Sequence, residues 1–360
     1  MNRALFATLF LLACNGDDAV VVTPKVDGGV THDLSTTDAH VGDLSEDMLA
    51  PPDLSGDMSR PWIDVSVATA GSLWAVYSNG TGTVVAVGDN GAIYTSVSGG
   101  AFVADTSAKP SATPTLLSIG TIAPGPPSKP FYVAGQAGTV WSYSGNLAAA
   151  TGTFTAEAVG TANSVNGIWV GPDGAAWGVG VGGAFKRTSG VWAALSGVEA
   201  DSIAYNLWGT GNTGAYTLYA VGTQGPSAST IGKVWRSDGG NFIAQTSGTT
   251  SPLYGFFGAG ASDLYAVGDD GVILHSIGNG AWTPQTSGVT SPIDGIGGVS
   301  ADEIYAVGDS GVLLHKYEAA STTWVKETLP VAVGSRGIYG VFASTTEVYA
   351  VGAAGLILKR

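Results

Sequence analysis

Leu264-Tyr265-Ala266-Val267-Gly268-Asp269-Asp270-Gly271 and Ile304-Tyr305-Ala306-Val307-Gly308-Asp309-Ser310-Gly311 are two copies of one phrase. A core of small and β-branched residues ends in glycine, and a second glycine follows three residues on. The pairs are Gly88/Gly91, Gly135/Gly138, Gly180/Gly183, Gly222/Gly225, Gly268/Gly271, Gly308/Gly311 and Gly352/Gly355. The steps between first glycines are 47, 45, 42, 46, 40 and 44 residues. A period of this size marks a repeat architecture, in which each unit is one supersecondary element.

The unit from Leu253 to Gly288 shows the plan. Short runs rich in aromatic and β-branched residues begin at Leu253, Asp263, Val272 and Ala281, with Gly, Asn, Asp and Ser between them. Such runs read as four strands. No helical periodicity appears after the N-terminus. Asp269-Asp270, between its two glycines, reads as a two-residue hairpin whose centre needs positive φ. It is not a phosphate loop, because no helix and no lysine follow. The third position of the first strand is Ala75, Ser118, Gly167, Asn206, Gly255, Gly295 or Gly340. Six of these seven are tiny, as strands converging on an axis require. The fold class is therefore all-β: a seven-bladed β-propeller of four-stranded antiparallel blades. The last repeat stops after its third strand, at Arg360. Pro61-Trp62-Ile63-Asp64-Val65-Ser66 resembles a fourth strand and is expected to complete the seventh blade, closing the ring. A monomer is expected.

The chain ahead of the propeller reads differently. Met1-Asn2-Arg3 is a short positive start, and Ala4 to Leu12 is apolar except for Thr8. Residues 1–13 read as a secretory signal. Leu11-Leu12-Ala13-Cys14 resembles the lipobox of bacterial lipoproteins, which implies lipidation of Cys14, the single cysteine. Anchored acyl chains hold by burying CH₂ groups. Asn15, by the same resemblance, points away from inner-membrane retention and toward the outer membrane or cell surface; the periplasmic face of the inner membrane is the alternative. Residues 15–60 hold ten acidic residues against Lys25 and Arg60. Few aromatics and many like charges make a self-repelling tether, so residues 14–60 form a spacer and 61–360 the propeller.

The repeats resemble the BNR/Asp-box propeller superfamily, and within it the photosystem II stability/assembly factor type. Ser237-Asp238-Gly239-Gly240-Asn241-Phe242 comes closest to the Asp-box pattern, and Ser276-Ile277-Gly278-Asn279-Gly280-Ala281-Trp282 lacks its Asp. The resemblance implies turns between third and fourth strands, and carries fold more than function.

Composition removes several functions. Basic residues are not clustered, so no nucleic-acid footprint is present. The propeller's arginines are Arg187, Arg236, Arg336 and Arg360, and they do not form the trio that a sialidase places around a carboxylate. His275 and His315 share a column filled elsewhere by Thr95, Ser142, Lys186, Arg236 and Lys359, so the column is polar and not a metal pair. No catalytic constellation is found and no cofactor is expected. Candidates for a ligand face are Trp74, Tyr205, Tyr254 and Tyr339, at the second position of the first strand, where packing between blades is the alternative. Asp269, Asp270 and Asp309 are a candidate cation site, although turn chemistry explains each alone. The pattern breaks at Thr223 to Gly232, which lengthens the fourth hairpin and includes Thr223 and Gln224, and at the Pro-rich Thr121 to Lys129. Loops that depart from a rigid scaffold are candidate functional sites. The expected function is a binding or scaffold module for a protein or envelope glycan. A carbohydrate-active hydrolase or lyase at the channel mouth and an assembly factor for a membrane complex are the alternatives.

Overall fold

The structure, a computed structural model, describes residues 60–68, 71–122, 131–149, 151–225 and 231–360. Cys14, the signal and most of the tether lie outside the described residues, as does most of the Pro-rich loop. The described strands form seven antiparallel sheets of four strands each. The innermost strands are Leu73–Ser78, Leu116–Thr121, Val165–Val170, Ser202–Asn212, Leu253–Gly260, Ile293–Ser300 and Ile338–Ala343. They open blades one to seven. Ile63–Asp64 pairs with the C-terminal strand, Ile63 opposite Lys359 and Asp64 opposite Leu358, and so supplies the seventh blade's outer strand.

The core is divided among the interfaces between blades. Second strands such as Asp263–Gly268 are buried on both faces, because each face meets a different neighbour. Alternate side chains point to opposite sides of a strand. Leu264 and Ala266 accordingly join the cluster shared with blade four, while Tyr265 and Val267 join the cluster shared with blade six. Leu73, Ala86 and Phe102 of blade one meet Tyr349, Val351 and Ile357 of blade seven, so the ring is closed by hydrophobic burial as well as by the added strand.

The two glycines of the repeated phrase answer to different constraints. The first has an extended backbone, with φ of −171° at Gly268, which any residue can adopt. Its constraint is space. A Cβ on Gly88, Gly135, Gly180, Gly222, Gly268, Gly308 or Gly352 would stand 1.9–2.1 Å from a carbonyl oxygen at or just before the start of the innermost strand. The turn itself is centred one residue later than the spacing suggests. Positive φ falls on Asp270 and Gly271, at 56° and 70°, and not on Asp269. Asn90-Gly91, Ala137-Gly138, Ser310-Gly311 and Ala354-Gly355 repeat this. Asp269 instead donates its backbone N–H to Pro252 O, pinning the turn to the strand that begins beside it. The third strand of blade five runs from Ile273 to Ser276 and its outer strand only from Thr283 to Gln285, shorter than the apolar pattern implies.

The tiny third position is explained by neighbouring inner strands. A Cβ on Gly295 would meet Tyr339 O at 2.7 Å, and one on Gly340 would meet Trp74 O at 2.6 Å. Large residues there would push the blades apart at the axis.

Candidate functional site

Every innermost strand carries a register shift near its start, at the second residue except in blade four, where it falls at the fourth. The shifts lie between Leu73/Ala75, Leu116/Ser118, Val165/Gly167, Ala204/Asn206, Leu253/Gly255, Ile293/Gly295 and Ile338/Gly340. A bulge leaves one residue unpaired and re-aims its side chain. The unpaired residues, in blade order, are Trp74, Leu117, Asn166, Tyr205, Tyr254, Asp294 and Tyr339. They lie at the end of the inner strands where the second-to-third-strand turns also lie, and they encircle the channel mouth.

The four aromatic candidates are brought together in two pairs. Trp74 and Tyr339 stack at 4.5 Å between centroids with planes 16° apart. Tyr205 and Tyr254 meet edge to face at 5.2 Å. Asp294 of blade six stands between Tyr254 of blade five and Tyr339 of blade seven, hence between the two pairs. A cavity of about 170 Å³ follows the axis and is lined by Trp74, Ser118, Asn206, Asp294 and Tyr339 among others.

The electrostatics of the mouth are one-sided. Burial, followed by the carboxylates of Asp309 and Asp269, pushes the Asp294 carboxyl up to about 7. Its Oδ2 is buried and has no hydrogen-bond partner among the described residues. Burial and then Asp269 push the Tyr254 hydroxyl up to about 12, with smaller contributions from Tyr205, Asp294 and Asp270. Tyr339 is raised by burial and by Asp309, Asp294 and Asp89. The charges acting on these three groups are all negative. Asp89, in the turn of blade one, accepts from Trp74 Nε1 at 2.9 Å and from Thr115 Oγ1 at 3.2 Å, which fixes the indole.

The acidic turn residues have separate engagements. Asp270 Oδ2 accepts from Ser251 Oγ at 2.8 Å, and Asp269 Oδ1 accepts from the Asp270 N–H at 3.0 Å. Among the described residues no group of three or more His, Cys, Asp and Glu is arranged to hold a metal ion. Thr223 and Gln224 continue the blade-four strands, opposite Gly232 and Ile231, and Gln224 Nε2 donates to Asp201 Oδ1 at 3.1 Å. The lengthened hairpin is thus an extended ladder up to its tip, and residues 226–230 lie outside the described residues. Residues 123–130, which include most of the Pro-rich loop, also lie outside them.

The polar column has a structural cause. Its members pair across the ladder with aromatics: Ser142 with Tyr132, Lys186 with Trp177, Arg236 with Tyr219, His275 with Tyr265, His315 with Tyr305 and Lys359 with Tyr349. Only Thr95 faces an aliphatic residue, Val85. Lys186 and Lys359 lie over their partner rings at 4.9 and 5.3 Å, where an ammonium is attracted by the ring face. His275 Nε2 lies 2.6 Å from Asp263 Oδ1, and buried His315 lies between Glu303 and Glu327. The four propeller arginines pair with Glu157, Asp238, Asp64 and Glu327, respectively for Arg187, Arg236, Arg336 and Arg360. Ser237 to Phe242 forms the turn from third to outer strand in blade four, with Ser237 Oγ donating to Gly240 O at 2.7 Å.

Sequence reasoning missed Asp294. It shares a column with Trp74, Tyr205, Tyr254 and Tyr339, and reading that column for chemistry rather than for aromatic rings alone picks it out.

No family model and no curated protein matches the chain. Solved structures do share its fold. A structure of YCF48 bound to D1 peptide matches at TM-score 0.63 and 15% identity, over 83% of this chain and 94% of that one. The WD40 β-propeller domain of Doa1 matches at TM-score 0.66 and 11% identity, over 83% and 96%. A catalytically inactive virginiamycin B lyase from Staphylococcus aureus with quinupristin matches at TM-score 0.63 and 13% identity, over 83% and 98%. At these identities the likeness is one of fold.

Proposed function

We propose that this chain is a bacterial cell-envelope lipoprotein whose propeller is a binding or scaffold module for a protein segment. Residues 1–13 direct secretion, Cys14 carries the lipid at an outer-membrane or cell-surface attachment, and the acidic spacer joins it to the propeller. The observation that carries the binding reading is the ring of bulged residues. Seven separate inner strands each break their pairing at the same end, and four of the seven residues released there are aromatic. Aromatic anchors at a partly desolvated cavity are the usual centre of a protein interface. The propeller of YCF48 is known with a bound D1 peptide, so this fold can receive a peptide. A hydrolase or lyase acting on an envelope glycan is the second reading. Asp294 favours it, since a half-buried carboxyl poised near neutrality is what a general base requires.

The test uses the full chain as bait in extracts of its own envelope, beside a Trp74→Ala/Tyr339→Ala variant and a Cys14→Ser variant. The intact chain is expected in the membrane fraction with a partner protein enriched at least about tenfold over the mouth variant, as loss of two interface anchors implies. Cys14→Ser is expected to shift the chain to the soluble fraction and keep the partner. Equal recovery by the mouth variant would reject the mouth as the binding face. Release of sugar products from envelope glycan would replace binding with catalysis.

A further inference from the structure

We infer that the mouth receives a single basic side chain, a lysine ammonium or arginine guanidinium of the partner, seated against the stacked Trp74–Tyr339 pair with its charge on Asp294. The inference deepens the protein-binding reading above and rests on it.

Three independent observations converge on this chemistry. The first is shape. The axial cavity is about 170 Å³, below the roughly 300–1,000 Å³ of sites that take drug-sized ligands. It has room for one extended side chain. The second is the wall. A cation is attracted to the faces of tryptophan and tyrosine, and here the stacked Trp74–Tyr339 pair and the Asp294 carboxylate line the same cavity. The third is charge. Asp294, Tyr254 and Tyr339 feel only negative neighbours, namely Asp309, Asp269, Asp270 and Asp89. A cleft lined by one sign of charge focuses the field and draws the opposite charge. A neutral sugar would stack on the rings and could donate a hydroxyl to Oδ2 of Asp294, but it would leave the negative charge around it unbalanced. A basic side chain supplies both the counter-charge and the missing donor.

The same geometry fixes a pH dependence. The groups facing Asp294 are the carboxyls of Asp309 and Asp269, with Tyr254 and Tyr339 beside them. Asp294 is half protonated near pH 7 when the mouth is empty. A bound cation favours the ionised form. Binding therefore releases a proton from Asp294, and affinity rises as pH increases from about 6 to about 8, by at most about tenfold per pH unit.

The experiment is calorimetric titration of the full chain with blocked pentapeptides in which glycines surround one central arginine, lysine or citrulline. Citrulline keeps the shape of arginine and removes its charge. Arginine and lysine peptides are expected to bind saturably, with citrulline about tenfold weaker or worse. Buffers of different ionisation enthalpy should reveal proton release at pH 7. Asp294→Asn should weaken the arginine peptide and flatten its pH dependence, and Asp309→Asn should weaken it less. If Asp294→Asn does not fold, Asp309→Asn and the citrulline comparison still decide. Citrulline binding as well as arginine would overturn the inference, and so would binding of a neutral envelope oligosaccharide in preference to the arginine peptide. Failure of the two proposals is distinguishable. A partner captured through the mouth but not displaced by the arginine peptide rejects the basic side chain alone. Arginine-peptide binding with no protein captured from the envelope rejects the envelope partner alone.

Discussion

Deletion of Pro61–Val67 is expected to abolish the cooperative unfolding transition of the propeller. The segment supplies the outer strand of blade seven, and its Val65 and Val67 N–H groups donate to Ile357 O and Gly355 O at 2.9 and 3.0 Å. Trp62 is 4% exposed and sits edge to face on Tyr305 at 5.9 Å, in the cluster between blades six and seven. Asp64 pairs with Arg336. Removing a buried tryptophan side chain alone costs about 3–5 kcal/mol. The deletion adds lost ladder bonds and leaves Ile357–Lys359 as an unpaired edge open to aggregation. A native domain holds only about 5–15 kcal/mol in reserve. Denaturant unfolding followed by tryptophan fluorescence and circular dichroism checks this, with Trp62→Ala as the milder case, expected to remain folded but about 3–5 kcal/mol less stable. A deletion variant that melts like the intact chain would mean that the ring does not need this strand.

Gly268→Ala is expected to be among the most damaging single-methyl changes in the propeller. Its Cβ would lie 2.0 Å from Pro252 O and 2.8 Å from Leu253 Cα, both backbone atoms that cannot rotate away. Relief requires moving the bulge, and with it Tyr254. The expected cost is about 3 kcal/mol or more, at the upper end of overpacking. Gly260→Ala is the control, since nothing lies within 4 Å of a Cβ there and the change should stay within about 0.5 kcal/mol. Urea denaturation of both variants separates them. Equal stability would show that the first glycine of the phrase is kept for some reason other than close approach.

The ring was legible because one physical constraint is written seven times. The carbonyl that excludes a Cβ at Gly88 excludes one at Gly352 as well, so the period survives drift elsewhere. The missing fourth strand after Leu358 was legible by the same counting, and Ile63–Asp64 fills it. The turn was misplaced by one residue because spacing alone cannot tell which of Asp269, Asp270 and Gly271 takes positive φ; the contact from Asp269 N–H to Pro252 O decides it. The bulges were not legible, because a register shift is a property of two strands together. Without them, Trp74 and Tyr254 look like packing residues and Asp294 does not stand out.

One further regularity joins neighbouring blades. Outer strands carry an aromatic residue followed three positions on by an acceptor, as in Trp282/Gln285 and Trp324/Glu327. The indole of one blade donates to the acceptor of the blade before it: Trp324 to Gln285 at 2.9 Å, Trp282 to Gln245 at 3.3 Å and Trp192 to Glu157 at 2.7 Å. At the closure the series breaks. Against burial, which would raise it, His315, Tyr317 and Arg360 hold the Glu327 carboxyl down at about 2, and among the described residues the buried indole N–H of Trp62 has no hydrogen-bond partner. Arg360 lies over the Trp62 ring at 5.9 Å instead.

If the mouth holds negative charge that only a bound cation balances, titration of the Asp294 carboxyl by carbon-detected NMR will read it out. Its folded-state value lies above that of an unfolded aspartate, so the neutral form is favoured by the fold. The associated stability is full below about pH 4 and is lost as pH rises through about 7. The predicted midpoint is about 7 in the empty protein, falling when the arginine pentapeptide is added. A midpoint in the ordinary aspartate range near 4, unmoved by the peptide, would mean that the mouth does not seek a cation.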